Sequence, residues 1–176
     1  MKTNYSLRYA SHPVDAKNYD TQRLRKEFLI DTLFVNDEVN MVYSMYDRMI
    51  VGGVMPKAET LRLEAIDPLK ATYFTTRREI GVFNVGEGEG VVKVGEESFT
   101  LGFKEALYIG SGDRDVLFES KDPQHPAKFY FNSTCAHTSY PCRKVTKQDA
   151  ICAHMGSIEM SNERTINKVL VHQVLP

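Results

Sequence analysis

Residues 81–102 run GVFNVGEGEGVVKVGEESFTLG, and their spacing decides the fold. Val92 and Val94 flank Lys93, Phe99 and Leu101 flank Thr100, and glycines bound both runs. A period of two between turn residues predicts short half-buried strands at 90–94 and 98–101. The Gly86-Glu87-Gly88-Glu89-Gly90 run invites comparison with a phosphate loop, but a dinucleotide fingerprint needs a helix after its glycines. A valine-rich strand follows instead, and two glutamates would repel phosphate. A β-turn using positive-φ glycines is the expectation.

The same period recurs outward from this stretch. In 39–47, Val39, Met41, Tyr43 and Met45 fall on one face; Val116 and Phe118 mark a strand at 115–119; Ala127, Phe129 and Phe131 mark one at 127–132. Tyr73-Phe74-Thr75-Thr76 reads as a polar-aromatic strand ending at Arg77-Arg78-Glu79. Gly52-Gly53, Asp67-Pro68, Gly110 to Gly112 and Asp122-Pro123 punctuate these runs. Short strands with frequent turns and no long helical pattern between them predict an all-β antiparallel sandwich or barrel. One short N-terminal helix is expected at 21–29, capped by Asp20 and carrying Leu24, Phe28 and Leu29 at helical spacing. After Pro141 the pattern weakens: Thr146 to Ala150 could form a helical turn, Ser161-Asn162 could open another, and Val169-Leu170-Val171 is strand-like before Pro176 ends the sequence.

With 176 residues, the chain suits one domain. It is 42% hydrophobic and 26% charged, the composition of a globular protein. Lys+Arg 22 against Asp+Glu 23 gives 22 − 23 = −1, so the basic excess that drives nucleic-acid binding is missing. No apolar run approaches the roughly 20 residues of a membrane span, and MKTNYSLRYA has no signal-peptide core. Neither a nucleic-acid nor a membrane partner is expected. Three cysteines without a C-x-x-C pair fit a reducing compartment, with the cytoplasm as default.

Four groups of residues could carry chemistry. Arg77, Arg78 and Glu79 sit together at a strand end, where forked guanidinium donors could clamp a carboxylate and Glu79 could serve as acid, base or ligand; an exposed ion pair is the alternative. Arg48 is a further candidate cation, and Arg62, Arg114 and Arg164 are weaker ones. Cys135, His137, Cys142, Cys152 and His154 are zinc-type donors within twenty residues, but their spacing matches no knuckle and ordinary packing is the better reading of them. His12, His125 and His172 are isolated in sequence.

The order of pieces from Glu79 onward resembles the first half of a cupin: glutamate, strand, Gly-rich turn, strand, turn, strand. Ala106-Leu-Tyr-Ile-Gly110-Ser-Gly112-Asp-Arg-Asp115 resembles the second cupin motif, with Asp115 where a metal-binding histidine usually sits. Only Glu79 of the four cupin ligands is present. The resemblance implies a cupin-like antiparallel β-barrel or jelly roll without its metal.

A broader similarity covers almost the whole chain. Tyr19-Asp-Thr-Gln-Arg-Leu-Arg-Lys-Glu-Phe-Leu29, Met41-Val-Tyr-Ser44, Asp47-Arg48-Met-Ile-Val-Gly-Gly53, Arg77-Arg-Glu-Ile-Gly81, Ala106-Leu-Tyr108, Pro126-Ala-Lys-Phe-Tyr130, Ala136-His-Thr138, Tyr140-Pro141 and Arg164-Thr-Ile-Asn-Lys168 resemble the 5-dehydro-4-deoxy-D-glucuronate isomerase family, the 4-deoxy-L-threo-5-hexosulose-uronate ketol-isomerases. That resemblance implies a sugar-acid substrate from pectin or other polyuronides, an intramolecular oxidoreductase reaction and a hexamer of two-module subunits. It also implies one zinc per subunit, held by three histidines and a glutamate of the second module. No residue here inherits those ligand roles, so no metal ligand and no catalytic acid or base is assigned. Residues 1–145 are then a degenerate, metal-free cupin-like domain with an N-terminal arm, and 146–176 a connecting segment toward the second module. The chain alone is expected to be inactive, contributing Arg78, Arg77, Arg48 and Glu79 to substrate binding. The alternative is a non-catalytic cupin module for assembly or small-ligand binding.

Overall fold

The computed structural model describes residues 2–175, and Pro176 lies outside the described residues. In chain order the elements are β1 (Lys2–Arg8), α1 (Pro13–Ala16), α2 (Thr21–Phe28), β2 (Glu38–Ser44), β3 (Ile50–Val54), β4 (Leu61–Arg62), β5 (Arg78–Asn84), β6 (Gly90–Val94), β7 (Glu97–Leu101), β8 (Ala106–Ile109), β9 (Val116–Ser120), β10 (Phe129–Cys135), β11 (Arg143–Val145), β12 (Ile151–Met155) and β13 (Arg164–Lys168). A seven-stranded sheet in the order β1-β2-β3-β10-β5-β8-β11 faces a four-stranded sheet ordered β4-β9-β6-β7, and β12 and β13 form a separate ribbon.

The core lies between the two larger sheets, because the apolar residues of each alternating strand face the same way. Val39, Met41, Ile50, Ile80, Val82, Leu107, Ile109, Phe129 and Phe131 from one sheet meet Val92, Val94, Leu101, Val116 and Phe118 from the other. Phe118 and Phe129 pack across the layers at 5.2 Å between ring centroids. The expected all-β jelly-roll arrangement is therefore present, and α2 starts after Asp20, whose carboxylate accepts from Arg23 N at 2.7 Å.

Several expectations need correction. Tyr73 to Thr76 is a turn rather than a strand: the neighbours Phe74 and Thr75 are both buried, which a two-residue period forbids. Thr75 Oγ1 donates to Gly112 O at 2.7 Å and Gly112 N to Thr75 O at 2.8 Å, tying this turn to the loop before β9. Gly86, Gly88 and Gly90 do not adopt positive φ. A Cβ on Gly88 would stand 1.7 Å from His125 O, and one on Gly90 would stand 2.4 Å from the Phe129 ring; close approach, not left-handed backbone, requires glycine there. The strand expected at 39–47 stops at Ser44, because Asp47 and Arg48 reverse the chain at φ 54° and 52°. Thr146 to Ala150 is an isolated turn, closed by Thr146 N on the Asp149 carboxylate at 2.7 Å. Val169 to Val171 is not a strand; the strand lies earlier, at β13, pairing with β12. β1, which pairs parallel with β2, was not expected at all.

Asp37 (φ 59°) fastens the loop after β3 to the start of β2. Its Oδ1 accepts from Lys57 N at 2.8 Å, Ala58 N at 2.8 Å and Glu59 N at 3.1 Å. Partial burial pushes this carboxyl up, but the three N–H donors outweigh it and hold the group below its ordinary value. A depressed folded-state value means the stabilisation is present above about pH 4, the unfolded carboxylate range, and is lost as pH falls through the folded value. Asp37→Asn should therefore be less stable than the parent at about pH 6, with the gap narrowing toward about pH 3. Urea denaturation at both pH values checks this; a gap independent of pH refutes it.

Candidate functional site

The pleat of β5 sends Arg78, Ile80, Val82 and Asn84 inward, all four buried, and Glu79, Gly81 and Phe83 outward, where Gly81 is covered by Leu170. Arg78 and Glu79, expected to work together, therefore stand on opposite faces of the sheet. Each faces a different cavity.

Arg78 faces a cavity of about 210 Å³, which is also lined by Tyr43, Arg48, Leu69, Phe74, Arg77 and Cys135. The signal for this site was in β10. Phe129 and Phe131 continue on the same face as Ser133 and Cys135, so the inward face turns polar where the strand leaves the core. Arg78 is 3% exposed. Its Nε donates to Ser133 Oγ at 3.0 Å, Nη2 to Ser133 O at 2.8 Å and Arg48 O at 2.6 Å, and Nη1 to Cys135 Sγ at 3.5 Å. The guanidinium carbon lies 5.6 Å from the Tyr43 ring centroid. Burial pushes Arg78 below the ordinary arginine value; Cys135 and Tyr43 oppose that shift, and the Arg48 charge adds to it.

The three arginines divide the work. Arg77 Nη2 donates to Leu69 O at 2.6 Å and holds the short 3-10 turn Asp67–Leu69 against the cavity rim. Arg78 is engaged by the backbone and is a frame rather than a free clamp. The Arg48 side chain has no hydrogen bond or ion pair among the described residues, while its carbonyl is pinned by Arg78. None of the residues lining this cavity is an aspartate or glutamate. Three guanidinium groups around a small carboxylate-free space suit a single anionic group of carboxylate size.

Glu79 instead lies on the outer face, where Tyr108 donates to its Oε2 at 2.6 Å. Desolvation, and then the Glu79 carboxylate, push the Tyr108 phenol far above its ordinary value, so it stays protonated. Glu79 does not face the barrel interior, as a retained cupin ligand would. Its surroundings form a half-open cavity of about 690 Å³, walled on one side by Leu170, Val171, His172 and Leu175. A third cavity, of about 870 Å³, separates the β12–β13 ribbon from the sheet. There Cys152 Sγ lies 3.9 Å from His154 Nε2, and His154 Nδ1 lies 2.9 Å from Thr165 Oγ1.

The remaining candidates are dispersed. Cys135 stands at Arg78 and Cys142 at Arg114 (Sγ to Nη1, 3.5 Å), so the cysteine-histidine group does not converge. Among the described residues no three His, Cys, Asp or Glu side chains could hold a metal ion together, so the Cys135 to His154 donors form no zinc site. Asp115 pairs with Arg62 at 2.5 Å, Arg114 donates to Gly110 O at 2.8 Å and Arg164 contacts Asn162. His12 accepts from Val14 N at the start of α1, His125 meets Asp122 at 2.9 Å, and His172 lines the outer-face cavity. Among the described residues no helix is long and apolar enough to cross a membrane.

Comparison with known proteins places these features in a family. Residues 28–175 match the model of the KduI/IolB family. The chain is 67% identical over 176 residues to a 4-deoxy-L-threo-5-hexosulose-uronate ketol-isomerase of Bacteroides fragilis, and 68% identical over 176 residues to ketol-isomerase 1 of Bacteroides thetaiotaomicron. Each alignment takes in 100% of this chain and 62% of the relative, so the chain spans less than two thirds of the length of these proteins. Among solved structures, an IolB-like protein from Salmonella typhimurium LT2 superposes with a TM-score of 0.51 at 15% identity, covering 68% of this chain and 43% of that one. That likeness concerns the fold alone.

Proposed function

The chain belongs to the KduI/IolB family, and from that premise we propose that it forms the metal-free module of a ketol-isomerase converting 5-dehydro-4-deoxy-D-glucuronate to 3-deoxy-D-glycero-2,5-hexodiulosonate in polyuronide breakdown. The observation that carries this is the 67% identity along all 176 residues to an isomerase of that name. In the reaction one proton leaves the carbinol carbon beside the aldehyde and one is returned to the former aldehyde carbon, while the hydroxyl proton passes to the aldehyde oxygen. Zinc in the completed enzyme would supply the electrophile for this chemistry. No described residue set fits that metal, so no step is routed through this module. What the module contributes is a grip on the far end of the substrate: Arg48 meets the uronate carboxylate, Arg78 holds the Arg48 backbone, and Arg77 fixes the rim.

Three free thiols, Cys135, Cys142 and Cys152, accord with a cytoplasmic location. Assembly into a homo-oligomer, a hexamer by the family pattern, is supported by the apolar residues left exposed on the β12–β13 ribbon and its tip: Ile151, Met155, Ile158, Met160 and Ile166. An isolated two-stranded ribbon is marginal in water and gains from being covered.

The test is a chimera in which these 176 residues replace the aligned part of the Bacteroides fragilis isomerase. Retained turnover is the expected result; a folded chimera without activity overturns the proposal. Within it, Arg48→Ala should raise KM about tenfold or more with little change in kcat, because a charge-assisted bond to a distal carboxylate binds ground and transition states alike, at roughly 1.5–3 kcal/mol. An unchanged kcat/KM removes the carboxylate grip while leaving the isomerase assignment intact.

A further inference from the structure

The outer-face cavity is not used by the isomerase proposal. Its floor is Gly81, flanked in register by Asn132 of β10 and Tyr108 of β8, with Thr134 opposite Glu79 on the neighbouring row. Residues 170–175 roof this floor so closely that a Cβ on Gly81 would stand 2.6 Å from Leu170 Cδ1 and 3.0 Å from Asn132 Oδ1. The volume of this half-open cavity, about 690 Å³, falls in the roughly 300–1,000 Å³ range of small-molecule sites.

The polar groups that converge there are complementary. Glu79 Oε2 is taken by Tyr108. Glu79 Oε1, the Asn132 side-chain amide and the Thr134 hydroxyl have no hydrogen-bond partner among the described residues. A carboxylate only accepts, while an amide and a hydroxyl both donate and accept. Together they match neighbouring hydroxyl groups, each of which must donate to one partner and accept from another. Leu170 and Val171 supply the apolar wall that the C–H face of a saturated ring needs. The basic side chains of the lining, Arg143 and His172, are exposed to solvent, whereas Glu79 stands at the half-buried floor and disfavours an anion.

We propose that this cavity on the outer face of β10, β5 and β8 binds a neutral polyhydroxylated ring of monosaccharide size beside the contact of Leu170 with Gly81, with Glu79, Asn132 and Thr134 gripping its hydroxyls and Leu170 forming its wall. The proposal stands apart from the isomerase assignment, because its ligand carries no carboxylate. It is tested by calorimetric titration of the 176-residue chain with D-glucose, D-galactose and D-mannose, and with D-glucuronate, D-galacturonate and D-mannuronate as charged counterparts. At least one neutral sugar should bind saturably, and its uronate should bind about tenfold more weakly. Asn132→Ala should weaken the neutral sugar about 3–10-fold and Glu79→Gln about tenfold or more, the usual losses for a neutral and a charged partner. Gly81→Ala, whose added methyl meets only the movable ends of Leu170 and Asn132, keeps the fold and should also abolish or weaken binding. No saturation by any neutral sugar, or affinities indifferent to all three substitutions, would overturn the proposal.

Discussion

Asn84→Ala should destabilise the protein by about 3–5 kcal/mol, the sum of several backbone groups each left unsatisfied at about 1–3 kcal/mol, less what entering water recovers. Asn84 is fully buried. Its Nδ2 donates to Gly88 O at 2.8 Å and Leu101 O at 3.0 Å, while Oδ1 accepts from Gly86 N at 3.1 Å and Lys128 N at 3.3 Å. Two donors and two lone pairs are thus all in use, and they join the Gly-rich turn, the end of β7 and the approach to β10. No other side chain can take this place. Aspartate keeps the two accepted bonds but sets an oxygen against the Gly88 and Leu101 carbonyls, so Asn84→Asp should be at least as damaging at neutral pH. The thermal unfolding temperature should fall by about 6–20 °C for a chain of this size. A loss below about 1 kcal/mol would mean that water replaces the amide without penalty, and that the network is incidental.

Arg78→Ala is the second large effect, expected at about 3 kcal/mol once the several kcal/mol of desolvation spared are set against the charge-assisted bonds lost. Truncation leaves the Ser133 and Arg48 carbonyls facing an empty space beside Cys135. Arg78→Lys should recover little of this, since an ammonium cannot span Ser133 and Arg48 with a planar fork. The loss should be accompanied by faster proteolysis between β2 and β3, because Arg78 pins a turn whose residues Asp47 and Arg48 both hold positive φ. Arg48→Gly separates the two roles of that position: it should leave stability unchanged or raise it by up to about 1 kcal/mol, because glycine adopts positive φ without strain. If Arg78→Ala unfolds at the parental urea midpoint, the guanidinium is not the frame of this cavity.

The strands whose faces differ were legible in the sequence. Val92 and Val94, Val116 and Phe118, and Phe129 and Phe131 each face the core at every second residue, and Asp20 marks the start of α2. Elements without that contrast were hidden: all five residues of β13 are exposed, so it carries no hydrophobic period. Tyr73 to Thr76 looked alternating by residue type, yet Thr75 is buried by its bonds to the loop before β9 rather than by a pleat. For the candidate site, the sequence pointed to Arg48, Arg77 and Arg78, which do share a cavity. It could not show that Glu79 faces the other way, because that depends on which residue of β5 enters the core first. Asn84 was overlooked for a related reason: a polar residue on a core-facing position is explained only by partners far away in sequence.

The strand order has a consequence for how the chain is made. β10 sits between β3 and β5, pairing Phe129 with Val54 on one side and Asn84 on the other. During synthesis, every earlier strand of this sheet leaves the ribosome before its centre exists. β3 and β5 then each present an open edge until Cys135 has emerged, and pairings of such long sequence separation form slowly. The nascent chain is thus most in need of protection by chaperones while residues 85–135 are being added, and the sheet closes in one late event rather than growing strand by strand.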